Sequence, residues 1–323
     1  MHKSTRLTLF TVALLLAATL LAGCGTALPA GGTADPAPGD KLRVVATIFP
    51  QYDFVREIAG DSVELTMLLP PGSESHSFDP PPRDYITIEN CDVFIYVGGD
   101  SDAWVERILS SVDTSNMEVV ALLDIVDAVE EEIVEGMEED EEEEAEGPEL
   151  DEHVWTSPRN AIQIVSSLTG TLCALDAEHA SLYRENAAAY IAKLNALDAD
   201  FQAVVDEAAR KTIIFADRFP FRYFADAYGL SYFAAFPGCS TETECSAATI
   251  AFLIDKVRAE QIPVVFFIEF SNEKMADTIC EATGASKLLL HAVHNITRDD
   301  FERGAGYLEF MTQNVQNLKA ALA

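Results

Sequence analysis

The sequence predicts an α/β protein that folds as two lobes joined by one long helix. Two observations predict it. Near-continuous apolar runs alternate with amphipathic helical patterns in each half of the chain, and such strands are typical of parallel sheets covered on both faces. Between the halves lie residues 178–209, which contain no Gly or Pro and repeat apolar residues at helical spacing. We therefore expect two Rossmann-like lobes on a shared backbone helix.

Each half of the chain has the same alternation. In the first lobe, residues 42–177, strands are predicted at 43–49, 62–69, 92–97 and 117–123, with helices at 50–60, 82–90 and 102–112. In the second lobe, residues 210–323, strands are predicted at 212–216, 231–236, 263–269 and 286–290, with helices at 220–228, 246–260, 272–283 and 299–321. Ligands of open parallel sheets bind outside the carboxyl ends of the strands. The cleft between the lobes is therefore the expected binding site.

The linking helix sets the expected spacing of the lobes. A helix over 178–209 would be roughly 45 Å long at 1.5 Å per residue. As the only link, it would hold the lobes at a nearly fixed separation, which argues against wide hinge closure. His179, at its polar start, is expected to be solvated.

The N-terminal region has the pattern of an export signal. Lys3 and Arg6 precede an apolar run from Leu7 to Leu21, which is too short for a membrane span. The following L-A-G-C looks like a bacterial lipobox, which implies cleavage before Cys24 and a lipid on its thiol. Residues 25–41 are rich in Gly, Ala and Pro and are predicted to be a flexible spacer. We expect a monomeric protein that is lipid-anchored to the cell membrane on its extracytoplasmic face.

The charge of the chain excludes one class of partner. The formal net charge is −33, whereas phosphate binding needs clustered Lys and Arg, so nucleic acid is excluded. Residues 130–152 are dominated by Glu and are predicted to be a disordered loop because they repel one another. This loop is either a weak cation collector or a solvated insertion.

The cysteines do not form a recognisable metal site. No C-x-x-C pair is present, and the spacing fits no familiar zinc pattern. Cys239 and Cys245 bracket a short polar loop and could form a disulfide outside the cell.

Histidines supply the candidate metal ligands. Residues 70–80, P-P-G-S-E-S-H-S-F-D-P, form a loop whose Gly and Pro fix the backbone around His76. His153 stands in D-E-H-V-W-T-S-P, before a helix predicted to begin near Pro158, and His291 and His294 stand in L-L-L-H-A-V-H-N-I-T. Neutral imidazole is the commonest protein ligand for a transition metal. For His76 alone the competing interpretation is a surface histidine in a stiff turn, and for one of His291 and His294 it is a residue that supports a ligand or lies at the surface.

Together these motifs resemble a known family. G-S-E-S-H-S-F-D-P, D-E-H-V-W-T-S-P and the long helix with Y-x-x-N-A-A-A-Y are similar to those of the solute-binding lipoproteins of zinc and manganese ABC transporters. The family's first metal histidine lies in H-x-[FY]-x-P and its second in D-x-H-x-W-x-S-P. The resemblance implies a C-shaped pair of α/β lobes, no enzymatic activity, and capture of a divalent metal for delivery to an ABC permease.

The chain departs from the family at its third ligand. Aligned on Tyr-Gly-Leu, that position falls on Arg218. Arg has no acceptor lone pair and cannot ligate a metal. We expect Arg218 either to face elsewhere or to pair with an acid, and Asp217, Glu242 and Glu244 are candidates for this pair or for a replacement ligand.

The chain also departs from the family at its fourth ligand, an Asp after the last strand. His291 and His294 stand there instead, so both could ligate, or one could ligate beside a carboxylate or water. Glu269 ends an apolar strand in F-F-I-E-F-S-N. Glu269 is a candidate metal ligand, a partner that orients a histidine, or a negative charge that neutralises Arg218.

The ligand types favour zinc. Imidazole nitrogens suit Zn²⁺, whereas Mn²⁺, the alternative, prefers more oxygen. Two other classes remain open. A zinc-dependent hydrolase is disfavoured because no H-E-x-x-H motif is present, and Glu152 beside His153 is its only candidate base. A surface adhesin that keeps the fold with a degenerate metal site would be consistent with Arg218.

Overall fold

The structure of the chain is a computed structural model that describes residues 41–74, 78–137, 149–240 and 245–323. The predicted signal peptide, its lipobox Cys24 and the spacer up to residue 40 lie outside these ranges, as do His76, Glu242 and Glu244. No helix within the described ranges is long and apolar enough to cross a membrane.

The first lobe is built on a four-stranded parallel sheet. Its elements in chain order are β1 (Leu42–Ala46), α1 (Phe49–Ala59), β2 (Val63–Met67), α2 (Pro82–Glu89), β3 (Val93–Tyr96), α3 (Ala103–Leu109), β4 (Glu118–Ala121) and α4 (Pro158–Leu175). The strand order is β2-β1-β3-β4, and every pairing is parallel. The four apolar runs of the sequence thus form the strands of one parallel sheet, as predicted.

The second lobe repeats this architecture. After α5 (Ala180–Asp206) come β5 (Thr212–Phe215), β6 (Arg218–Phe219), α6 (Arg222–Tyr228), β7 (Ser231–Phe233), β8 (Phe236–Pro237), α7 (Ala247–Ala259), β9 (Val264–Phe267), α8 (Lys274–Thr283), β10 (Ser286–Leu289), α9 (Arg298–Glu302) and α10 (Tyr307–Leu322). The main parallel sheet has the order β10-β9-β5-β7, and β6 pairs with β8. The two-lobed fold class is therefore confirmed.

The long helix α5 is the predicted link. It covers 180–206, a few residues less than expected at each end. One face is buried along its length, including Tyr183, Tyr190, Leu194 and Phe201.

The lobes also contact each other directly, in addition to their connection through the helix. The indole Nε1 of Trp155, in the first lobe, donates to the carbonyl of Ala292 in the second at 2.8 Å. The hydroxyl of Tyr307 donates back to the carbonyl of Trp155 at 2.8 Å. One continuous buried apolar cluster also contains side chains of both lobes. Packing as well as the helix therefore resists movement between the lobes.

The helix predicted over 299–321 is interrupted. The structure has α9 and α10 there, separated by a turn. Gly304 adopts a left-handed conformation with φ +74, which ends α9. At Gly306 a Cβ would lie 3.1 Å from the carboxylate of Asp53, and that carboxylate accepts the first backbone N–H of α10 at 2.7 Å. A tertiary contact therefore decides where the second helix begins.

The ends of the acidic segment are ordered, so the prediction of disorder over 130–152 is wrong there. Glu130 and Leu150 form an antiparallel bridge. The carboxylate of Glu131 accepts the N–H of Cys239 at 2.9 Å, which ties the segment to the second lobe. The central residues 138–148 lie outside the described ranges. The disulfide considered between Cys239 and Cys245 is not formed, since both are free thiols in the structure.

Candidate metal centre

The carboxyl ends of the strands of both sheets supply one region of polar side chains. In the first sheet, the loops after β1 and β3 leave the sheet in the region where the strand order reverses, which is the usual ligand position in open α/β sheets. In the second sheet, Arg218 follows β5, Glu269 follows β9, and His294 follows β10. This arrangement places the candidate residues at facing edges of the two lobes.

His153 is fixed by the segment that precedes α4. Its side chain is fully buried, and its Nδ1 lies 3.1 Å from Oδ1 of Asp151. The same oxygen accepts the backbone N–H of His153 at 2.8 Å. Because a carboxylate only accepts hydrogen bonds, the proton is on Nδ1 and the lone pair is on Nε2. Asp151 thus fixes both the orientation and the tautomer of the ring.

Gly238 presses on the same ring from the second lobe. A Cβ at this position would lie 3.0 Å from Cε1 and Nδ1 of His153 and 3.0 Å from the carbonyl of Phe219. No side chain fits there unless the ring or the backbone shifts. The glycine therefore allows the second lobe to pack directly against His153.

Glu269 organises the turn that carries His294. Its Oε2 accepts the N–H of Ala292 at 2.7 Å, and its Oε1 accepts the N–H of His294 at 3.0 Å. Nδ1 of His294 lies 3.4 Å from the same Oε1. Burial alone would raise the pKa of Glu269, but His291, His294 and the backbone N–H of Ala292 lower it to about 2. Glu269 is therefore an anion that orients His294, with both oxygens occupied.

His291 lies on the other side of this turn. Its Nδ1 accepts the N–H of Val293 at 3.0 Å, and its ring packs on Phe310 with centroids 4.4 Å apart. Val293 is β-branched and yet has φ +63, a left-handed conformation that such residues rarely adopt. The contact from His291 stabilises this strained turn, so the geometry favours a supporting role for His291 over a ligand role.

The rings of His153 and His294 meet. Their centroids are 4.6 Å apart and their planes are inclined by 81°. Burial and the neighbouring His153 lower the pKa of His294, so this imidazole is neutral at physiological pH. Imidazole nitrogens are a donor type that zinc accepts. Within the described ranges no group of three or more His, Cys, Asp or Glu side chains is arranged to hold a metal ion.

The described residues on both sides of 75–77 lie beside His294. Phe78 lines a cavity of about 30 Å³ together with His153 and His294. Glu74 lines a second small cavity, also with His294. The short segment that joins Glu74 to Phe78 therefore begins and ends beside the two described histidines.

The first of these cavities also contains two buried carboxylates. Asp102 accepts the backbone N–H groups of Val97 and Gly98 at 2.8 and 3.1 Å, and Glu152 accepts that of Ser101 at 2.8 Å. Burial raises the pKa of Asp102 to about 6 and that of Glu152 to about 7. Both carboxylates hold first-lobe loops in place through these backbone hydrogen bonds.

Arg218 has a partner that the sequence did not indicate. Its Nη2 and Nη1 lie 3.1 and 3.5 Å from the two oxygens of Glu74, and Nη1 donates to the carbonyl of Ser240 at 3.2 Å. Asp217, an expected partner, accepts the backbone N–H of Arg218 instead. Both carboxylate oxygens of Glu269 accept backbone N–H groups of the His294 turn. Glu269 therefore does not pair with Arg218. The arginine faces the cleft and pairs with the loop of His76.

Sequence reasoning missed Asp151, Gly238 and Asn295. The D-E-H motif could have indicated Asp151, because a carboxylate two residues before a histidine can reach its backbone N–H and its ring. Nothing local to Gly238 or Asn295 distinguishes them, since their partners are far away in the chain. His179, as expected, is not part of the site; its ring lies 2.8 Å from Asp176 at the start of α5.

This fold, with imidazoles that meet between two α/β lobes, defines a solute-binding protein for a metal ion. The sequence profile of the family described as "Zinc-uptake complex component A periplasmic" matches residues 44–321. The chain belongs to this family, which confirms the predicted class. The family is one of metal-binding uptake components and not of enzymes.

Two relatives show the extent of the similarity. The "High-affinity zinc uptake system protein ZnuA" of Bacillus subtilis (strain 168) is 31% identical over 308 residues, which are 94% of this chain and 94% of that protein. The "Zinc-binding lipoprotein AdcA" of Streptococcus pneumoniae is 31% identical over 305 residues, 94% of this chain but only 59% of AdcA. The chain thus matches one relative over nearly its whole length and spans a part of the other.

Solved structures give the same result. The Zn(II)-bound ZnuA-like domain of Streptococcus pneumoniae AdcA has a TM-score of 0.72 and 28% identity, covering 87% of this chain and 99% of that domain. The metal-dependent lipoprotein YcdH of Bacillus subtilis has a TM-score of 0.74 and 29% identity, with coverage of 87% and 99%. The predicted fold is therefore that of known metal-binding lipoproteins.

Proposed function

We propose that this protein captures Zn²⁺ outside the cytoplasmic membrane and delivers it to an ABC permease. The observation that carries this proposal is the meeting of His153 and His294, with ring centroids 4.6 Å apart and a carboxylate beside Nδ1 of each. Relatives that match over most of this chain are named for zinc uptake and zinc binding.

In this proposal three histidines hold the metal. His153 and His294 donate through Nε2, and His76 approaches from its loop between Glu74 and Phe78. A carboxylate that accepts from Nδ1 fixes the tautomer and raises the basicity of the donor nitrogen. We assign Asp151 and Glu269 to this orienting role and His291 to support of the His294 turn. The fourth position is left to water or to a carboxylate such as Glu242.

The donor set favours zinc over manganese. Three imidazole nitrogens suit a four-coordinate Zn²⁺ site, whereas Mn²⁺ prefers more oxygen ligands. Arg218 adds positive charge near the site, but its pairing with Glu74 at 3.1 Å neutralises it locally. The oriented carboxylates of Asp151 and Glu269 supply compensating negative charge.

Delivery of zinc to the permease depends on attachment of the protein to the membrane and on the rigidity of its two lobes. We propose that lipid on Cys24 anchors a monomeric protein to the extracytoplasmic face of the membrane, within reach of the permease. The inter-lobe hydrogen bonds of Trp155 and Tyr307 favour small loop adjustments over wide closure during capture and release.

The test is metal content and metal binding of the mature chain. Protein purified without chelator is examined by mass spectrometry, and Zn²⁺ and Mn²⁺ are titrated by calorimetry into wild type, His153→Ala and His76→Ala. We expect one tightly bound zinc per chain in the wild type, weaker binding of manganese, and loss of tight binding in both variants. Absence of zinc from the purified wild type, together with no heat from either ion in its metal-free form, would refute the proposal.

The two alternatives have less support. A hydrolase needs a base directed at a metal-bound water, and the carboxylate of Glu152 instead accepts the backbone N–H of Ser101. A degenerate adhesin would not need oriented, buried imidazoles backed by carboxylates. Membership in a zinc-uptake family disfavours both.

A further inference from the structure

The loop that carries His76 belongs to the first lobe in sequence but is hydrogen-bonded to the second. Nδ2 of Asn295 donates to the carbonyls of Pro70 at 2.8 Å and Ser73 at 3.0 Å. The backbone N–H of Gly72 donates to the carbonyl of Ile296 at 2.8 Å. Three hydrogen bonds therefore hold the start of the loop on the segment that directly follows His294.

An ion pair holds the same loop a few residues further on. The guanidinium of Arg218 is directed at both oxygens of Glu74, at 3.1 and 3.5 Å. The Arg218 side chain is 10% exposed and that of Glu74 42%, so the pair lies at the edge of the cleft. Ser240, whose carbonyl accepts from Nη1, helps to orient the guanidinium. A planar fork of this kind fixes the orientation of a carboxylate as well as its position.

We propose that Arg218 and Asn295 are positioning residues that hold the His76 loop against the second lobe before the metal arrives. Neither side chain is a ligand: Arg has no lone pair to donate, and the amide oxygen of Asn295 accepts the N–H of Ile296 at 2.9 Å. Asn295 follows His294 directly, and Glu74 precedes His76 by two residues. The two attachments therefore hold Glu74 and the residues just before it beside the segment that carries His294.

This inference rests on the proposed zinc site and adds how that site is assembled. If the loop were attached to the first lobe alone, metal binding would have to order it, and the apparent affinity would fall by the fraction of molecules with the loop in place. The attachments keep that fraction high in the metal-free protein. Their removal should therefore release the loop and weaken zinc binding without changing the number of zinc ions bound.

The test measures the loop and the metal separately. Hydrogen exchange of the amides in residues 72–79 is followed in the metal-free mature chain, and zinc affinity is measured by competition with a chromophoric chelator. In Asn295→Ala and Arg218→Met we expect exchange of the loop to become about tenfold faster and zinc affinity to fall about tenfold, with one zinc still bound. Saturating zinc should restore protection of the loop.

Matched controls separate positioning from general destabilisation. Asn186→Ala removes another side-chain bond to a carbonyl, the one to Ile58 at 3.0 Å. Arg222→Met removes another partly buried arginine, which pairs with Glu132 at 3.2 Å. Neither should change exchange of the loop or zinc affinity.

A double-mutant cycle tests whether Arg218 acts through Glu74. Glu74→Gln alters the more exposed partner, so the variant should fold even if Arg218→Met does not. We expect Glu74→Gln to release the loop as well, and the effects of the two substitutions on affinity to be strongly non-additive.

The experiment distinguishes failure of the positioning roles from failure of the proposed function. In the first outcome, Asn295→Ala and Glu74→Gln keep wild-type loop exchange and zinc affinity, while His153→Ala loses zinc. This outcome would overturn the positioning roles and leave the zinc site intact. If His153→Ala also binds zinc like the wild type, the proposed function itself fails.

Discussion

The imidazole rings of His153 and His294 pack edge to face, with centroids 4.6 Å apart. His153 precedes α4 in the first lobe, and His294 follows β10 in the second. Trp155 fixes this meeting, since its indole packs against the ring of His294 with centroids 5.2 Å apart and donates to the carbonyl of Ala292. The proposed metal centre thus depends on the packing of the lobes as well as on the ligands.

The two histidines of the last loop should differ in their effect on zinc. Because Nε2 of His294 is the proposed donor, His294→Ala should lower zinc affinity by more than about 100-fold, whereas His291→Ala, which acts through the turn, should cost about tenfold or less. Calorimetric titration of both variants measures the difference. The reverse order would mean that His291 is the ligand and that the turn changes shape when metal binds.

Substitution of Gly238 should damage the site without touching a ligand. A Cβ there would lie 3.0 Å from the fully buried ring of His153 and 3.0 Å from a backbone carbonyl, so Gly238→Ala should displace the ring and weaken zinc binding by about tenfold or more. The measurement is zinc competition together with thermal unfolding. Gly170→Ala is the matched control, since a Cβ there meets nothing within 4 Å and alanine favours the helix. Equal zinc affinity in the two variants would show that the ring tolerates the contact.

Zinc affinity should fall as the pH is lowered, because the imidazole of His153 takes up a proton before that of His294 does. Burial lowers the pKa of His153, but the carboxylates of Asp151, Glu152 and Glu131 raise it by a larger amount. The net shift of this pKa is therefore upward. The pKa of His294 is lowered by burial, so this ring loses its proton at lower pH. Because zinc must displace the proton from His153, affinity should fall by up to about tenfold per pH unit below the pKa of that ring.

Titrations at pH 5.5, 6.5 and 7.5 in buffers of different ionisation enthalpy check this dependence and count the protons released. Asp151→Asn keeps an oxygen that accepts from His153 and removes the charge that raises its pKa. In this variant the fall in affinity should move to lower pH. An affinity that does not change with pH in the wild type would contradict the assignment of His153 as a ligand.

Asp53 should make stability depend on pH at a site remote from the metal. Burial raises its pKa from 3.8 to about 6, although Arg56 and the N–H of Tyr307 act in the opposite direction. The folded state therefore binds the proton more tightly than the unfolded chain, and this contribution to stability is lost as pH rises from about 4 through 6. The expected change is about 3 kcal/mol at most.

Asp53→Asn removes this titration and keeps an oxygen for the N–H of Tyr307. Relative to wild type, the variant should gain free energy of unfolding between pH 4.5 and pH 7.5, as measured by urea denaturation of the metal-free protein. Asp61→Asn, at an exposed position, should show no such trend. A constant difference between Asp53→Asn and wild type would show that Asp53 is charged in the folded state throughout this range.

The sequence by itself determined the class of this protein. Apolar residues recur along the chain with the periods of buried strands and of amphipathic helices. Two parallel sheets and a long helix could therefore be predicted from this pattern alone. The segment D-E-H-V-W-T-S-P contains both His153 and the carboxylate that orients it, so this part of the site is encoded within three residues. The candidate set around His291, His294 and Glu269 could be named, but their separate roles could not.

Tertiary structure decided what depends on residues distant in the chain. Whether His294 or His291 faces His153 follows from a strained turn at Val293 that Glu269 and His291 hold. The partner of Arg218 is Glu74, 144 residues away in the chain, and the start of α10 is set by Asp53 from the other lobe. Sequence periodicity reports which face of an element is buried, whereas pairing across the cleft depends on how the two lobes pack, and no local pattern encodes that packing.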